Sequence, residues 1–548
     1  MTNRRFSKFY LLALASSLAI AAATVPSSEA QYTDLHDFDT PTLASPQYAG
    51  ILAQGRDGNL YGTAPSGGSS GRGGVFRVAP VGTYSVLYNF DNTHGSNPYS
   101  GLTLDSAGNF VGTAYNGGTA LFGTVFKLTP GGAVTVLHNF VPAEGAGSYA
   151  PPLQGTDGNL YGVTSTEGIG FGSVYEITAA GSFSVLYQFD GIHGSTPIAP
   201  LIQATDGAFY GTTKLGGSFG FGTVFKITAG GVLTVLYNFD STHGAEPYAP
   251  LFQASDGNFY GTARSGGTLN NGGVAFKLTP SKQLTVLHNF DQSGSNGDGT
   301  LPYAGLVQAS DGSLYGVTSA GGSSGAGTLY RITASGVYSK LYDFDLTTGS
   351  LPFATLRQHT NGPLYGEATA GGATGHGALF MFAIPASLKP FVSLQPASGK
   401  VATTVGIFGG ALTGTTSVKF NGLSASFSVL SDTYITATVP PRATTGFVDV
   451  VGPGGSLKSD RKFRVTPVIL TIAPTSGSVG TTVVVTGNSL TQTTKVTFGG
   501  VLATSFTVNS DTKVTVTVPA GARSGKVGIT TLGGTAMSLT SFTVTPSR

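Results

Sequence analysis

The sequence contains no cysteine. That excludes disulfides, thiolate metal sites, a cysteine nucleophile and a lipidated N-terminal cysteine. Charge is scarce as well, at 10% of 548 residues against roughly 25% in an average protein. Tryptophan is absent, so the aromatic content rests on 23 Tyr and 34 Phe, most of them in strand-like positions. No Ser-centred nucleophile elbow occurs, and no Gly-rich phosphate-binding motif opens a helix. What is abundant is glycine, at 83 residues, about twice its usual share of ~7%. It has no period of three, and Val, Thr, Tyr and Phe lie between the glycines. Many short strands joined by Gly-rich turns fit that composition, whereas collagen and disorder do not.

Residues 1–30 read as a secretory leader. Arg4, Arg5 and Lys8 begin it, Phe9 to Ala23 form the apolar run, and Ser28-Glu29-Ala30 resembles a cleavage site. The run is shorter than the ~20 residues of a membrane span and is broken by Ser16 and Ser17. Cleavage after Ala30 removes three bases and one acid, which leaves 25 of each. A neutral chain has no electrostatic pull toward nucleic acid or anionic membrane. The sequence therefore predicts a secreted or cell-surface protein with no nucleic-acid partner and no membrane insertion after cleavage.

From Pro46 to about Pro385 the chain repeats a unit of about fifty residues. Its marker is Asp-Gly-Xaa-Leu/Phe-Tyr-Gly, whose first Gly falls at 58, 158, 207, 257 and 312, with degenerate copies at 108 and 362. Each unit holds four strand signals. In the fourth unit these are Ala199 to Ala204, Phe209 to Thr213, Thr223 to Thr228 and Leu233 to Phe239. Four antiparallel strands per unit describe a β-propeller blade. The fourth-strand signature Leu-Tyr/His-Xaa-Phe occurs seven times, first at Leu35-His36-Asp37-Phe38. That copy has no unit in front of it, while the seventh unit passes from Met381-Phe382 into Ala383-Ile384-Pro385 without a fourth strand. One spare strand matches one missing strand, which predicts that the N-terminus closes the ring.

Beyond about residue 387 a second repeat begins. Pro396-Ala397-Ser398-Gly399 recurs as Pro474-Thr475-Ser476-Gly477, and Val418-Lys419-Phe420-Asn421-Gly422 as Val496-Thr497-Phe498-Gly499-Gly500. Ser431-Asp432-Thr433 and Val439-Pro440 likewise return as Ser510-Asp511-Thr512 and Val518-Pro519. Each copy alternates over about seven short segments, as a small β-sandwich does. The predicted fold is all-β: a seven-bladed propeller over residues 31–386, closed by an N-terminal strand, then immunoglobulin-like sandwiches over 387–465 and 466–548. Thr466-Pro467 leaves little slack between the sandwiches and predicts a stiff connection.

The fifty-residue units resemble the GloVer tandem repeats of exported bacterial proteins, on the Asp-Gly marker, the Gly-rich loop, Gly-Xaa-Val-Phe-Lys-Leu-Thr and Val-Leu-Tyr-Xaa-Phe-Asp. The sandwiches resemble IPT/TIG domains, on Pro-Xaa-Ser-Gly, Val-Xaa-Phe-Asn/Gly-Gly, Ser-Asp-Thr and Val-Pro. The first sandwich departs from that pattern at Val401-Ala402, where a Val-Gly or Gly-Gly step is usual. Neither resemblance implies a reaction or a cofactor; both imply surface binding or scaffolding.

Candidate functional residues follow from placement in the repeat. Asp91 and His94, Asp190 and His193, and Asp240 and His243 form Asp-Xaa-Xaa-His-Gly after the fourth strand. The loop after strand four and the loop between strands two and three emerge on one face, so these pairs should ring one mouth of the channel. They could contact a ligand, and the chemistry of His with Asp would suit a metal; the plainer reading is that each Asp caps its own loop, and no metal is assigned. Phe122, Phe219 and Phe221, in the Gly-rich loops, are candidate aromatic ligand contacts. Glu144, Glu167, Glu246 and Glu367 are weak acid candidates, since glycoside cleavage needs two facing carboxylates. The loop Asp291–Gly299 offers oxygens for Ca²⁺ but lacks the regular spacing and the bidentate Glu. The reading favours an exported binding or scaffold protein whose loops present a face to a glycan or surface protein. A hydrolase or lyase of extracellular polysaccharide and a structural surface-layer component are its rivals.

Overall fold

The computed structural model describes residues 31–46, 51–165, 170–294, 296–384 and 387–546. The leader assigned to residues 1–30 lies outside them. Among the described residues no helix is long and apolar enough to cross a membrane.

Seven four-stranded antiparallel sheets follow one another along the first two-thirds of the chain. Blade four runs Ile202–Gln203, Phe209–Thr213, Thr223–Ile227 and Leu233–Asn238. Strands two and three match the expected spans closely. Strand one is shorter than expected, because Pro197 and Pro200 have no amide hydrogen for the ladder and only Ile202 and Gln203 pair. The second strand of every blade is buried along its whole length, lying between neighbouring blades.

Each residue of the marker has a structural task. Asp206 Oδ1 accepts from the Ala208 amide and holds the turn, where Gly207 has φ +83°. The Tyr210 hydroxyl donates to Asp206 Oδ2 at 2.8 Å, and Tyr61, Tyr161, Tyr260 and Tyr315 repeat that bond at 2.6–2.9 Å. The glycine after the tyrosine leaves room for the ring of strand three: a Cβ on Gly211 would lie 2.6 Å from Phe225.

Closure follows the strand arithmetic. Gln31–Asp37 pairs antiparallel with Ala378–Ala383, from Gln31 opposite Ala383 to Asp37 opposite Ala378. The pairing bulges between Asp34 and His36, as blade four bulges between Val224 and Phe225. The Phe38 amide donates to Gly377 O at 3.0 Å, as that of Phe239 does to Gly222 O. Asp37 Oδ1 accepts from the Ala373 amide at 2.8 Å, the bond that Asn238 makes with Ser218. The orphan strand thus takes every role of an ordinary fourth strand.

A ring of glutamines supplies a second closure. The last residue of strand one is Gln in six of the seven blades, and its Oε1 accepts from the turn of the preceding blade, as Gln203 does from Thr156 and Gln253 from Thr205. Gln54 of blade one accepts from the Thr360 amide of blade seven and donates to Thr360 Oγ1 at 2.7 Å. Blade two has Leu104 instead, and its free carbonyl takes Gln395 Nε2 of the first sandwich at 2.8 Å.

The two sandwiches share one plan; in the second, the single strand Gly534–Val544 takes the place of Gly455–Lys458 and Arg464–Val465 of the first. Phe420 packs edge-on against Phe463 in the first and Phe498 against Phe542 in the second, each pair at 5.1 Å. Ala402 holds φ +69° where the second copy has Gly480 at +87°. The sandwiches meet tightly, with Gln492 bonded to both the Thr445 amide and its carbonyl. The first sandwich also sits on the propeller face that carries the Asp-Gly turns. Arg56 lies 4.7 Å from the Tyr434 ring centroid, Thr433 Oγ1 donates to Arg56 O at 2.7 Å, and Arg464 donates to Thr205 O at 2.7 Å.

One residue departs from the repeat at the seam. In most blades the fourth position of strand two is Thr, and Thr113, Thr212 and Thr262 each donate to a carbonyl of the next blade. Blade seven has Glu367, 2% exposed, with neither carboxyl oxygen hydrogen-bonded. Burial raises its carboxyl well above the ordinary 4.5. The folded chain therefore keeps a proton that the unfolded chain releases as pH rises through that value, so stability falls with rising pH until the folded group ionises too. Between pH 5 and pH 8 the melting temperature of the wild type is expected to fall relative to Glu367→Gln by at least ~2 °C. Parallel pH profiles of the two proteins in a thermal melt would show that this carboxyl titrates freely in the fold.

Candidate functional site

The channel is lined by strand one of all seven blades. At its far end a cavity of about 470 Å³ is walled by these strands and by Phe391, Leu394, Phe408, Asp460 and Arg461 of the first sandwich, which covers that mouth. The opposite mouth is built by the loops after strand four and between strands two and three, and a second cavity of about 250 Å³ occupies it. Pro250 and Thr355 border both.

The open mouth is framed by a backbone device that repeats. Before the proline that opens a unit stands a residue with positive φ: Asn97 (54°), Thr196 (56°), Glu246 (53°), Leu301 (55°) and Leu351 (55°). The left-handed region costs a non-glycine residue on the order of 1 kcal/mol, and such strain persists where the surroundings over-determine it. Here two hydrogen bonds do so. The Glu246 amide donates to Phe221 O of the preceding blade at 3.0 Å, and Glu246 O accepts from the Arg264 amide at 3.0 Å. Thr196 is held in the same way by Phe171 O and the Lys214 amide. The clamp fixes the residue after the proline beside the residue that follows strand two.

The residue after each proline is aromatic in most blades. Tyr99, Tyr248, Tyr303 and Phe353 occupy it, Ile198 replaces the ring in blade four, and Tyr149 holds the place in blade three without a proline. Tyr248 and Tyr303 pack edge-on at 4.8 Å, Tyr303 and Phe353 at 4.7 Å, and Tyr149 lies 5.4 Å from Tyr99 and 4.6 Å from Tyr115. These five rings are half-buried, each keeping part of its surface in the mouth. Lys214 Nζ stands 4.9 Å from the Tyr248 centroid, and the Arg264 guanidinium 4.9 Å from that of Tyr303. Arg264 also pairs with Glu246 at 2.6 Å. Burial raises the Tyr303 hydroxyl above its ordinary value against the opposing effect of Arg264, so it stays neutral.

Of the residues singled out from the sequence, Glu246 belongs to this centre, paired with Arg264, and the others lie outside it. His94, His193 and His243 each bond to the Asp three residues before: the backbone amide donates to Asp Oδ1 at 2.7–3.0 Å, and ring Nδ1 lies 2.6–3.2 Å from the carboxylate. The amide bond of His94 holds Asp91 below the usual carboxylate range. At Asp190 and Asp240 partial burial opposes the same bonds, and the bonds win. The three pairs belong to separate blades, and among the described residues no three His, Asp or Glu side chains come together as a metal would require. Phe219 and Phe221 are 61% and 40% exposed on the Gly-rich loop, and Phe122 packs partly against the core under it. Glu144 ends the short 3₁₀ turn Pro142–Glu144 and lies 2.8 Å from His138 Nε2. Glu167 lies outside the described residues. In the Asp291–Gly299 loop both aspartates are buried, Asp298 lies 2.6 Å from His288 Nε2, and Asp291 accepts from Asn270. The aromatic mouth was not read from the sequence. Its signal was there as recurrent Pro-Tyr/Phe/Ile-Ala at Pro197, Pro247, Pro302 and Pro352.

A seven-bladed propeller followed by immunoglobulin-like sandwiches is the class that this geometry defines. The chain belongs to the Gloeobacter/Verrucomicrobia repeat family, whose profile matches residues 22–168, 123–297 and 292–426. Residues 467–545 match the IPT/TIG domain. No curated protein matches significantly. Among solved structures the chain is similar to a fungal alcohol oxidase of the AA5 family in complex with copper, at 14% identity over 80% of this chain and 98% of that one, TM-score 0.46. It is also similar to a gluconolactonase from Xanthomonas campestris, at 13% over 66% and 89%, TM-score 0.36. A surface glycan-binding protein from Prevotella bryantii matches at 16% over 27% and 38%, TM-score 0.22. Similarity at this level says nothing of substrate or mechanism.

If the Asp-His pairs serve their own loops, Asp240→Ala lowers stability by about 1 kcal/mol in a urea titration, and added Zn²⁺ leaves the wild-type melting temperature unchanged. A Zn²⁺-dependent rise that Asp240→Ala abolishes would instead make the pairs metal ligands.

Proposed function

We propose that the protein is an exported binding protein whose open propeller mouth takes a segment of extracellular glycan, with the sandwiches acting as platform and spacer. The observation that carries this reading is the arc of half-buried rings from Tyr149 to Phe353 around a cavity of about 250 Å³. A pyranose offers an apolar C–H face and a polar rim. An aromatic wall with a few convergent polar groups complements both. The rings are held by strained, doubly bonded backbone, so little ordering entropy remains to be lost on binding. Export rests on the leader-like residues 1–30.

The site favours binding over cleavage. Its described lining contains Lys214 but no Asp or Glu, and Glu246, in the clamp before Pro247, is engaged by Arg264. Acid–base hydrolysis of a glycosidic bond needs two carboxyl groups facing it.

Affinity electrophoresis against a panel of soluble polysaccharides tests the reading. At least one glycan is expected to retard the wild type without release of reducing ends, and Tyr248→Ala with Tyr303→Ala to weaken retardation at least ~10-fold, since ring stacking and burial contribute a few kcal/mol together. His94→Ala, His193→Ala and His243→Ala should leave it unchanged. Retardation that survives loss of both tyrosines would place the site elsewhere, and steady release of reducing ends would make the protein an enzyme.

A further inference from the structure

The residue that follows strand two is uncharged in five blades: Pro65, Tyr115, Ser165, Ser319 and Thr369. In the adjacent blades four and five it is Lys214 and Arg264. At this position charge is thus gathered on one arc, and the clamp that fixes the rings fixes these two residues by their own amides. Tyr248 lies within cation–π distance of both, at 4.9 Å from Lys214 Nζ and 5.8 Å from the Arg264 guanidinium.

The arc carries an unmatched positive charge. Glu246 neutralises Arg264 at 2.6 Å, and among the described residues Lys214 has no carboxylate partner. An ammonium against an aromatic wall is less screened than one in open solvent. An anion presented alongside a surface that stacks on tyrosine would match it. We propose that the mouth selects glycans that carry carboxylates, polymers of uronic acids, with the sugar face on Tyr248 and Tyr303 and its carboxylate on Lys214. This rests on the glycan-binding reading and specifies its ligand class. A carboxylate on a peptide would satisfy the cation equally, but it would leave the arc of rings without a matching apolar face.

Polygalacturonate and its fully methyl-esterified form differ in charge and not in the sugar ring, so they separate the two questions. In affinity electrophoresis and calorimetry the full-length protein is expected to bind the acid form at least ~10-fold more tightly than the ester, as one charge-assisted contact allows. Binding of the acid should weaken as NaCl rises from about 50 to 300 mM. Lys214→Gln should remove the preference for the acid form without changing the melting temperature. Glu246→Gln, which removes the competing carboxylate, should tighten acid binding. Equal binding of both forms, unaffected by Lys214→Gln, would overturn the carboxylate assignment and leave glycan binding standing. Binding of neither form, nor of any other acidic or neutral polysaccharide, would overturn both. Binding of poly-glutamate in place of the polysaccharides would overturn the assignment in favour of an acidic peptide.

Discussion

The pairing of Gln31–Asp37 with Ala378–Ala383 is the contact on which the propeller depends. Without it the last blade would present an open edge of amides and carbonyls along Ala378–Ala383. It would also lose Phe38, fully buried beside Phe76 of blade one, with ring centroids 5.4 Å apart. The orphan strand therefore joins neighbouring blades: its backbone belongs to blade seven, His36 and Phe38 pack on blade one, and Tyr32 stacks on Tyr342 of blade six. His36 stacks on Tyr84 at 3.6 Å, as His138 stacks on Phe183 and His288 on Tyr338. The histidines of the fourth-strand slot are thus part of blade-to-blade packing, and burial holds His36 below its ordinary value, hence neutral.

A closed ring is what makes the mouth possible. In blades two and four to seven the strained residue before proline is held by one bond from its own blade and one from the blade before it, so the frame depends on every blade having a predecessor. Blade one, whose Ser45 has φ 53° and donates to His376 O, obtains its predecessor through closure. On this uniform frame the chain introduces differences where the repeat allows them. Lys214 and Arg264 charge one arc of the open mouth. Leu104 breaks the glutamine ring at the point where Gln395 of the first sandwich docks. The two faces acquire different tasks, one covered by a sandwich and the other open.

Most of the architecture was legible because it repeats. The Asp-Gly marker occurs in five clear copies, and its residues keep one role in each, as the Tyr-to-Asp bonds show. The closing strand was legible because counting strands is independent of knowing where side chains go. The site was harder to see for a physical reason. A Tyr after Pro in a strand-rich chain reads as core, and only the left-handed turn before the proline leaves it half exposed at the channel mouth. The Asp-Xaa-Xaa-His motif had the opposite character: it looks chemical, and its geometry is that of a capped turn. The seat of the first sandwich on the propeller was hidden as well. Thr433 lies in a motif that recurs as Thr512 in the second copy, and only Thr433 reaches Arg56.

Removing the closing strand tests the account most directly. A chain that begins at residue 40 should be compared with one that begins at residue 31, by thermal melting and by amide hydrogen exchange. Closure by this strand predicts a melting temperature lower by ~10 °C or more, because Phe38, Tyr32 and the ladder to Ala378–Ala383 are lost together. It also predicts that protection is lost first along Ala378–Ala383. An unchanged melting temperature, with Ala378–Ala383 as protected as before, would contradict it.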